Sequence, residues 1–284
     1  MPDIVTFSSP AKVNYYFKIV RRLESGYHEI VNVMSKITLY DEITLEVGGK
    51  RIEVSVDDSS VPSGPENTVF RAIDFLLDKC DKKIGVKAQV KKVIPIESGL
   101  GGGSSNAASV MVRLNEIFGL GLSIDELISL GIRVGSDVPF FIFGSPAIAG
   151  GLGDILERVD GIPEAWIVIV KPKGGISTAD AYKSIDLGLT VDKKNTIIPT
   201  FDGTLEGLVK EMWNDFESLV EMRLPDIAKV KDELLRHGSL RVMLSGSGSS
   251  VFGIFRDQVI AHEAYCKLRS NPGWAVFLAR NIFD

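Results

Sequence analysis

Cysteine is scarce in this chain: Cys80 and Cys266 stand far apart among 284 residues, which excludes a disulfide framework and a cysteine-built zinc site. Histidine is almost as rare, and His237 and His262 have no partners at metal-ligand spacing. No uninterrupted apolar run approaches the roughly 18 residues of a membrane-spanning helix. Met1 to Pro10 lacks the basic start and apolar core of a secretory leader. Positive charge is also short, 32 Lys and Arg against 37 Asp and Glu for a net −5, which argues against a basic face for nucleic acid. From these absences a cytoplasmic protein with neither nucleic acid nor membrane as partner is expected, and monomer or homodimer both stay open. Its 45% apolar content fills one large core or two modest ones, and two domains are expected.

Glycine, by contrast, is concentrated. Pro95 to Ala108 reads PIESGLGGGSSNAA, and a run of glycines brings backbone N–H groups close to a bulky ligand because no Cβ intervenes. Upstream, Ile84 to Ile94 has a strand's alternation, with Val86, Ala88 and Val90 on one side. Downstream, Ala107, Met111, Leu114 and Phe118 recur as the buried stripe of a helix starting near Ser104. A glycine loop feeding a helix N-terminus gathers unpaired N–H groups and the positive end of the helix dipole, which suits phosphate. The P-loop pattern fails, since Ser104 stands where its lysine belongs, and the dinucleotide pattern G-x-G-x-x-G fails at its last glycine. The structural alternative is a close helix–strand packing turn.

Along the chain, Ala11 to Val20 alternates as a strand, with Val13, Tyr15, Phe17 and Ile19 on a core face and Lys12, Asn14, Tyr16 and Lys18 on a polar one. Successive residues on one face lie about 6–7 Å apart, so Lys12 and Asn14 can hold one group between them. Glu24 to His28 is a turn around Gly26. Ile43 to Val47, the Gly48-Gly49 turn and Ile52 to Val56 read as a hairpin. Asn67 suits the cap of a helix striped by Val69, Ile73, Leu76 and Leu77, and Ser123 to Glu126 is a capping box. Asp137, two residues before Pro139, fits a helix cap as well as a carboxylate presented to a pocket. Composition shifts near Gly161. Trp166 to Val170 reads as a strand buried on both faces, Thr178 to Tyr182 as a helix start, and Arg241 to Ser245 with Ser250 to Phe255 as strands joined at Gly246 to Gly248. The mixture is α+β.

The glycine loop resembles the second motif of the GHMP kinases. Ser9 to Asn14, Gly26-Tyr27-His28 and Gly135 to Phe141 are similar to the branch that phosphorylates a diphosphocytidyl methylerythritol, and Leu244 to Phe252 is similar to the superfamily's third motif. The resemblance implies an ATP-binding α/β domain at 1–160 and a ferredoxin-like α/β sandwich at 161–284. It implies ATP and Mg²⁺ as cofactors and a small-molecule alcohol as partner. Lys12 and Asp137 would be catalytic. Asn67 and Thr68 would lie by the adenine, and Lys92, whose neighbour Lys91 competes for the role, by the ribose or phosphates. Gly99, Leu100, Gly101, Gly102, Gly103, Ser104, Ser105 and Asn106 would wrap the phosphates. Asn14, Tyr27, His28, Leu152, Thr178 and Tyr182 would bind the acceptor, with Tyr27 and His28 on its cytosine. A homoserine- or mevalonate-type kinase and a non-catalytic nucleotide sensor are the rivals: the first should lack Gly-Tyr-His, and the second needs neither Lys12 nor Asp137.

Overall fold

Strand and helix alternate because the apolar period switches between two and about four along the chain. The computed structural model describes residues 3–24, 26–151, 153–175, 178–184 and 198–283. In order these form β1 (Asp3–Arg22), β2 (His28–Val47), β3 (Ile52–Val56), α1 (Thr68–Lys79), β4 (Val86–Lys91), α2 (Gly102–Ile117), α3 (Ile124–Gly131), α4 (Val138–Phe143), β5 (Ala147–Gly150) and β6 (Ile155–Arg158). Then follow β7 (Trp166–Pro172), α5 (Thr178–Ser184), α6 (Leu205–Glu211), β8 (Trp213–Asn214), α7 (Glu217–Arg223), α8 (Asp226–Arg236), β9 (Arg241–Leu244), β10 (Val251–Phe255), α9 (Gln258–Leu268) and β11 (Trp274–Ile282). Two units result, one from residues 1–11, 40–96 and 101–144, the other from 12–39, 97–100 and 145–284.

In the first unit β4 lies between β3 and β2, parallel to β3 (Ile52↔Val86) and antiparallel to β2 (Glu42↔Lys91). This corrects the expected hairpin. Gly48 and Gly49 do turn the chain with positive φ, but β4 occupies the edge of β2 that β3 would have taken. Alternation fixes which face is buried, not which strand is the neighbour. Gly85 secures the crossing: it exchanges backbone bonds with Gly48 and Gly49 at 2.9 and 3.1 Å, and a Cβ there would lie 2.6 Å from the Arg51 carbonyl. Buried Val86, Ala88 and Val90 then line up with Ile43 and Leu45. α1 packs on α2, and α2 and α3 pack on α4. Asn67 caps α1 by accepting from Val69 N–H, and Ser123 and Glu126 close the capping box of α3, each such cap contributing about 1 kcal/mol.

In the second unit β7 is central, antiparallel to both β11 and β10, and β9 pairs with β10 across the Gly246 to Gly248 turn. Ile167 to Val170 are fully buried, as the unbroken apolar run predicts. Ile227, Val230 and Leu234 of α8 and Ala261, Ala264 and Leu268 of α9 share a core with Val168, Val170, Leu244, Val251 and Phe255. Each large aliphatic buried there is worth about 1.5–3 kcal/mol. Helices packed on an antiparallel sheet make the α/β sandwich expected of this half. One expectation about β1 changes: its polar face is buried too, Lys12 at 3% exposure and Asn14 at 1%. Buried polar side chains require partners, and these partners build the site.

Candidate active site

In the second unit, the Lys12 ammonium donates to Asn14 Oδ1 at 2.6 Å, and Asn14 Nδ2 donates to Asn32 Oδ1 at 2.7 Å. The hydroxyl of Ser245 sits 3.2 Å from the same Asn14 oxygen and 3.0 Å from the Gly99 carbonyl. Lys12 N–H donates to the Leu100 carbonyl at 3.0 Å. The first half of the glycine loop is therefore held from two sides, by the strand that carries Lys12 and by the third motif. Ser250 N–H donating to the Ser98 carbonyl at 3.1 Å extends the clamp. Asn214 fixes the third motif in turn: its Nδ2 donates to the carbonyls of Leu244 and Gly246 at 2.8 Å each, and its Oδ1 accepts from Phe216 N–H. Asn14 thus acts on Lys12 and Ser245 in this geometry, which adds an orienting role to the substrate contact expected of it.

The first unit carries the second half of the loop. α2 begins at Gly102, earlier than the Ser104 start expected, behind Gly101 in the left-handed region at φ 72° with no side-chain cap. Gly102 and Gly103 thus lie in the first helical turn, where their N–H groups have no partner one turn back. A Cβ on Gly102 would come 2.9 Å from Lys92 Nζ and 3.0 Å from Ile94 Cγ2, so this glycine admits the lysine from beneath. Lys92 is ion-paired with buried Asp41, whereas Lys91 points to Glu42 at the surface at 3.9 Å. Thr68 Oγ1 donates to the Gly103 carbonyl at 2.9 Å. Ser105 and Ser9 share a hydrogen bond of 2.7 Å. Asn67 spends its amide on the α1 cap and on the Pro62 carbonyl at 2.6 Å, so its side chain serves the backbone. A Cβ on Gly135 would be 3.5 Å from Ser104 Oγ, which places the Gly-Ser-Asp turn against the start of α2. Asp137 occupies the cap position of α4 without making a side-chain capping bond.

The aromatic residues lie in the second unit. Gly26, at φ 87°, closes the turn between β1 and β2, with Leu23 N–H donating to the Tyr27 carbonyl at 2.8 Å. Tyr27 is 66% exposed. The His28 ring stacks on Tyr182 at 5.2 Å between centroids, and Tyr182 meets Phe216 edge-on at 5.1 Å. A base sandwiched between His28 and Tyr182 would need about 7 Å for two layers of contact, so one side of His28 is already occupied by Tyr182. Burial, with a smaller contribution from Arg22, holds the His28 pKa below its ordinary value. Its Nε2 is buried without a hydrogen-bond partner. Leu152 and the side chain of Thr178 lie outside the described residues.

Sequence reasoning missed Asn32, Asp41 and Asn214. Asp41 had a legible signal: it falls in register with Leu39, Ile43 and Leu45, a charge on an apolar face. Among the described residues no group of three metal-ligating side chains occurs, and no helix is long and apolar enough to cross a membrane.

The family model of the GHMP kinases N terminal domain matches residues 67–145 and that of the GHMP kinases C terminal matches residues 202–272. The chain belongs to the GHMP kinases. Among curated relatives, the 4-diphosphocytidyl-2-C-methyl-D-erythritol kinase of Syntrophotalea carbinolica is 41% identical, over 98% of this chain and 99% of its own length. The protein of the same name from Geobacter metallireducens is 39% identical over 98% of this chain and 99% of its own length. A solved 4-(cytidine 5'-diphospho)-2C-methyl-D-erythritol kinase is 27% identical with a TM-score of 0.81, over 98% of this chain and 99% of that one. Homoserine kinase from Cytophaga hutchinsonii shares the fold at 20% identity and a TM-score of 0.76, over 100% and 96%.

Proposed function

We propose that this chain transfers the γ-phosphoryl group of ATP to the 2-hydroxyl of 4-diphosphocytidyl-2-C-methyl-D-erythritol. The observation that carries the reading is the Gly26-Tyr27-His28 turn with His28 stacked on Tyr182, an aromatic subsite for which a homoserine or mevalonate acceptor has no use. Phosphoryl transfer depends on positioning and charge stabilisation. The acceptor oxygen forms a bond to the γ-phosphorus, the bond to the bridging oxygen of ADP breaks, and the hydroxyl proton passes to the Asp137 carboxylate. Lys12, aimed by Asn14, offsets charge on the transferring group. The N–H groups from Gly99 to Ser105 cradle the phosphates, with Asn106 and Lys92 at the base, and Asn67 and Thr68 set the adenine side by holding α1 and Gly103. The cytosine lies on the side of the aromatic group away from Tyr182, with Tyr27 as the second ring. Leu152 and Thr178 complete the acceptor subsite. The family's two domains divide at 1–160 and 161–284, bracketing the two family-model matches.

Mg²⁺ takes oxygen donors, and the start of α2 supplies them: the Ser105 hydroxyl and the Asn106 Oδ1, a buried acceptor without a partner. Bound there with the phosphates, it would supply charge neutralisation. Use of ATP and the free thiols Cys80 and Cys266 fit a cytoplasmic setting.

The test is ADP formation against a panel of diphosphocytidyl methylerythritol, homoserine and mevalonate. Turnover with the first alone is expected; turnover with homoserine or mevalonate replaces the acceptor, and ATP binding without any turnover makes the chain a sensor. Within the same assay Tyr27→Ala should raise KM for the diphosphocytidyl acceptor roughly 5–100-fold, the worth of about 1–3 kcal/mol of base stacking, and leave KM for ATP unchanged. A fall in ATP affinity with acceptor affinity intact would move Tyr27 to the nucleotide.

His28 supplies a pH dependence. Its pKa is lowered in the folded chain, so the neutral ring persists below the ordinary value of 6.5 and is lost only as pH falls through the lowered value. The ring's contribution to folding is complete above pH 6.5 and disappears on acidification, since the unfolded state binds the proton first. Acceptor KM should therefore stay flat as pH falls through 6.5 and rise only as it falls through the lowered value, and His28→Gln should remove the acidic rise. An unchanged acidic rise in His28→Gln would assign it to another group.

A further inference from the structure

We propose that Asp41 is a positioning residue of the phosphate site, holding Lys92 and Asn106 beneath the start of α2. The proposal rests on the kinase reading above. Asp41 is fully buried, where an unpaired charge is strongly disfavoured, and its carboxylate is saturated. Oδ1 accepts from the backbone N–H groups of Val93 and Ile94 at 2.8 Å each; Oδ2 accepts from Asn106 Nδ2 at 2.9 Å and from the Lys92 ammonium. The four donors come from the segment that enters the glycine loop and from the helix that leaves it.

Two consequences follow for a ligand. The ammonium lies beneath Gly102, where α2 has no acidic residue in its first turn and no side-chain cap. Lysine and helix dipole therefore bring two positive sources to one place with Asp41 as their buried counter-charge, a balance that an incoming phosphate relieves. Asn106 shows the second. Donating Nδ2 to Asp41 fixes the amide, and leaves Oδ1 buried without a partner. A buried acceptor in that state is costly until a partner arrives, and the partners available are a ribose hydroxyl or a water that donates to it, or a cation carried by the phosphates that it coordinates. Asp41 touches none of these itself. It sets the charge and the amide orientation that meet them.

The test measures affinity for a non-hydrolysable ATP analogue with Mg²⁺ by calorimetry, alongside KM for the acceptor and the ligand-free melting temperature. Asp41→Asn should weaken the analogue roughly 10–100-fold, about 1.4–2.7 kcal/mol, and leave the acceptor KM in place. The exchange Asp41→Asn with Asn106→Asp keeps one carboxylate and one amide in the trio, and should restore affinity to within about tenfold of the parent, since neighbouring changes are not additive. A folded Asp41→Asn that binds the analogue like the parent overturns the proposal, as does an exchange variant that binds no better than the single one. If Asp41→Asn does not fold, the exchange variant decides; its failure to fold as well assigns Asp41 to the core and also overturns the proposal. A parent that binds no analogue removes the kinase reading itself, whereas a parent that binds and variants that bind equally remove only the role of Asp41.

Discussion

Asp137→Asn is expected to fold, bind ATP, and turn over roughly 10²–10⁴-fold more slowly, a barrier increase of about 3–5 kcal/mol. The fold should survive because the carboxylate makes no capping bond to α4, although Asp137 sits at its cap position with φ −90° and ψ −8°. Asparagine is at home in that conformation, and Pro139 near the helix start together with Val138 N–H donating to the Gly135 carbonyl at 3.1 Å holds the turn without it. What the variant loses is a group able to accept the hydroxyl proton as the new bond to phosphorus forms. Turnover by coupled ADP assay, a thermal melt and analogue affinity separate these effects. A well-folded variant at near-parental turnover would falsify the general-base role and leave Asp137 as a turn residue.

Local patterns were legible where one face of an element meets one core. The α1 stripe, the α3 capping box and the β7 run all stand where spacing puts them, because each is decided within a few residues. Pairing was not legible to the same degree. The segments either side of Gly48-Gly49 carry a hairpin's alternation, yet β4 separates them, and nothing in a period of two names the neighbour. The site was legible as glycines, Lys12 and aromatics. Its supports were less so: Asn32 and Asn214 matter through partners 18 and 30 residues away in the sequence, and single amides on strands carry no local signature, whereas Asp41 is marked by a charge on an apolar face although its partner Asn106 lies 65 residues away. Lys12 itself looked solvated, since alternation assigns it a polar face; burial of that face turns a surface lysine into one whose ammonium is aimed.

Gly99→Ala should damage both stability and turnover, and more severely than the same change at Gly103. Gly99 sits at φ 74°, in the region that L side chains rarely adopt, and an added Cβ would lie 1.8 Å from the Ser245 carbonyl oxygen, a backbone atom. Strain of about 1–3 kcal/mol and overpacking of about 1–3 kcal/mol should lower the melting temperature. The loop and the third motif must then part, and the joint they share is the one that aims Lys12: Ser245 bridges the Gly99 carbonyl and Asn14 Oδ1, and Asn14 receives the ammonium. A displacement of about 1 Å at such a joint costs turnover on the order of 10²-fold. Gly103, inside α2, has the nearest outside atom, Thr68 Oγ1, at 3.3 Å from its added Cβ, and alanine favours a helix by about 1 kcal/mol, so Gly103→Ala should melt no lower than the parent. Melting curves and kcat for both variants make the comparison. If Gly99→Ala melts with the parent and keeps kcat within about tenfold, below the loss a 1 Å shift entails, then the third motif does not clamp the glycine loop and the alignment of Lys12 has another source.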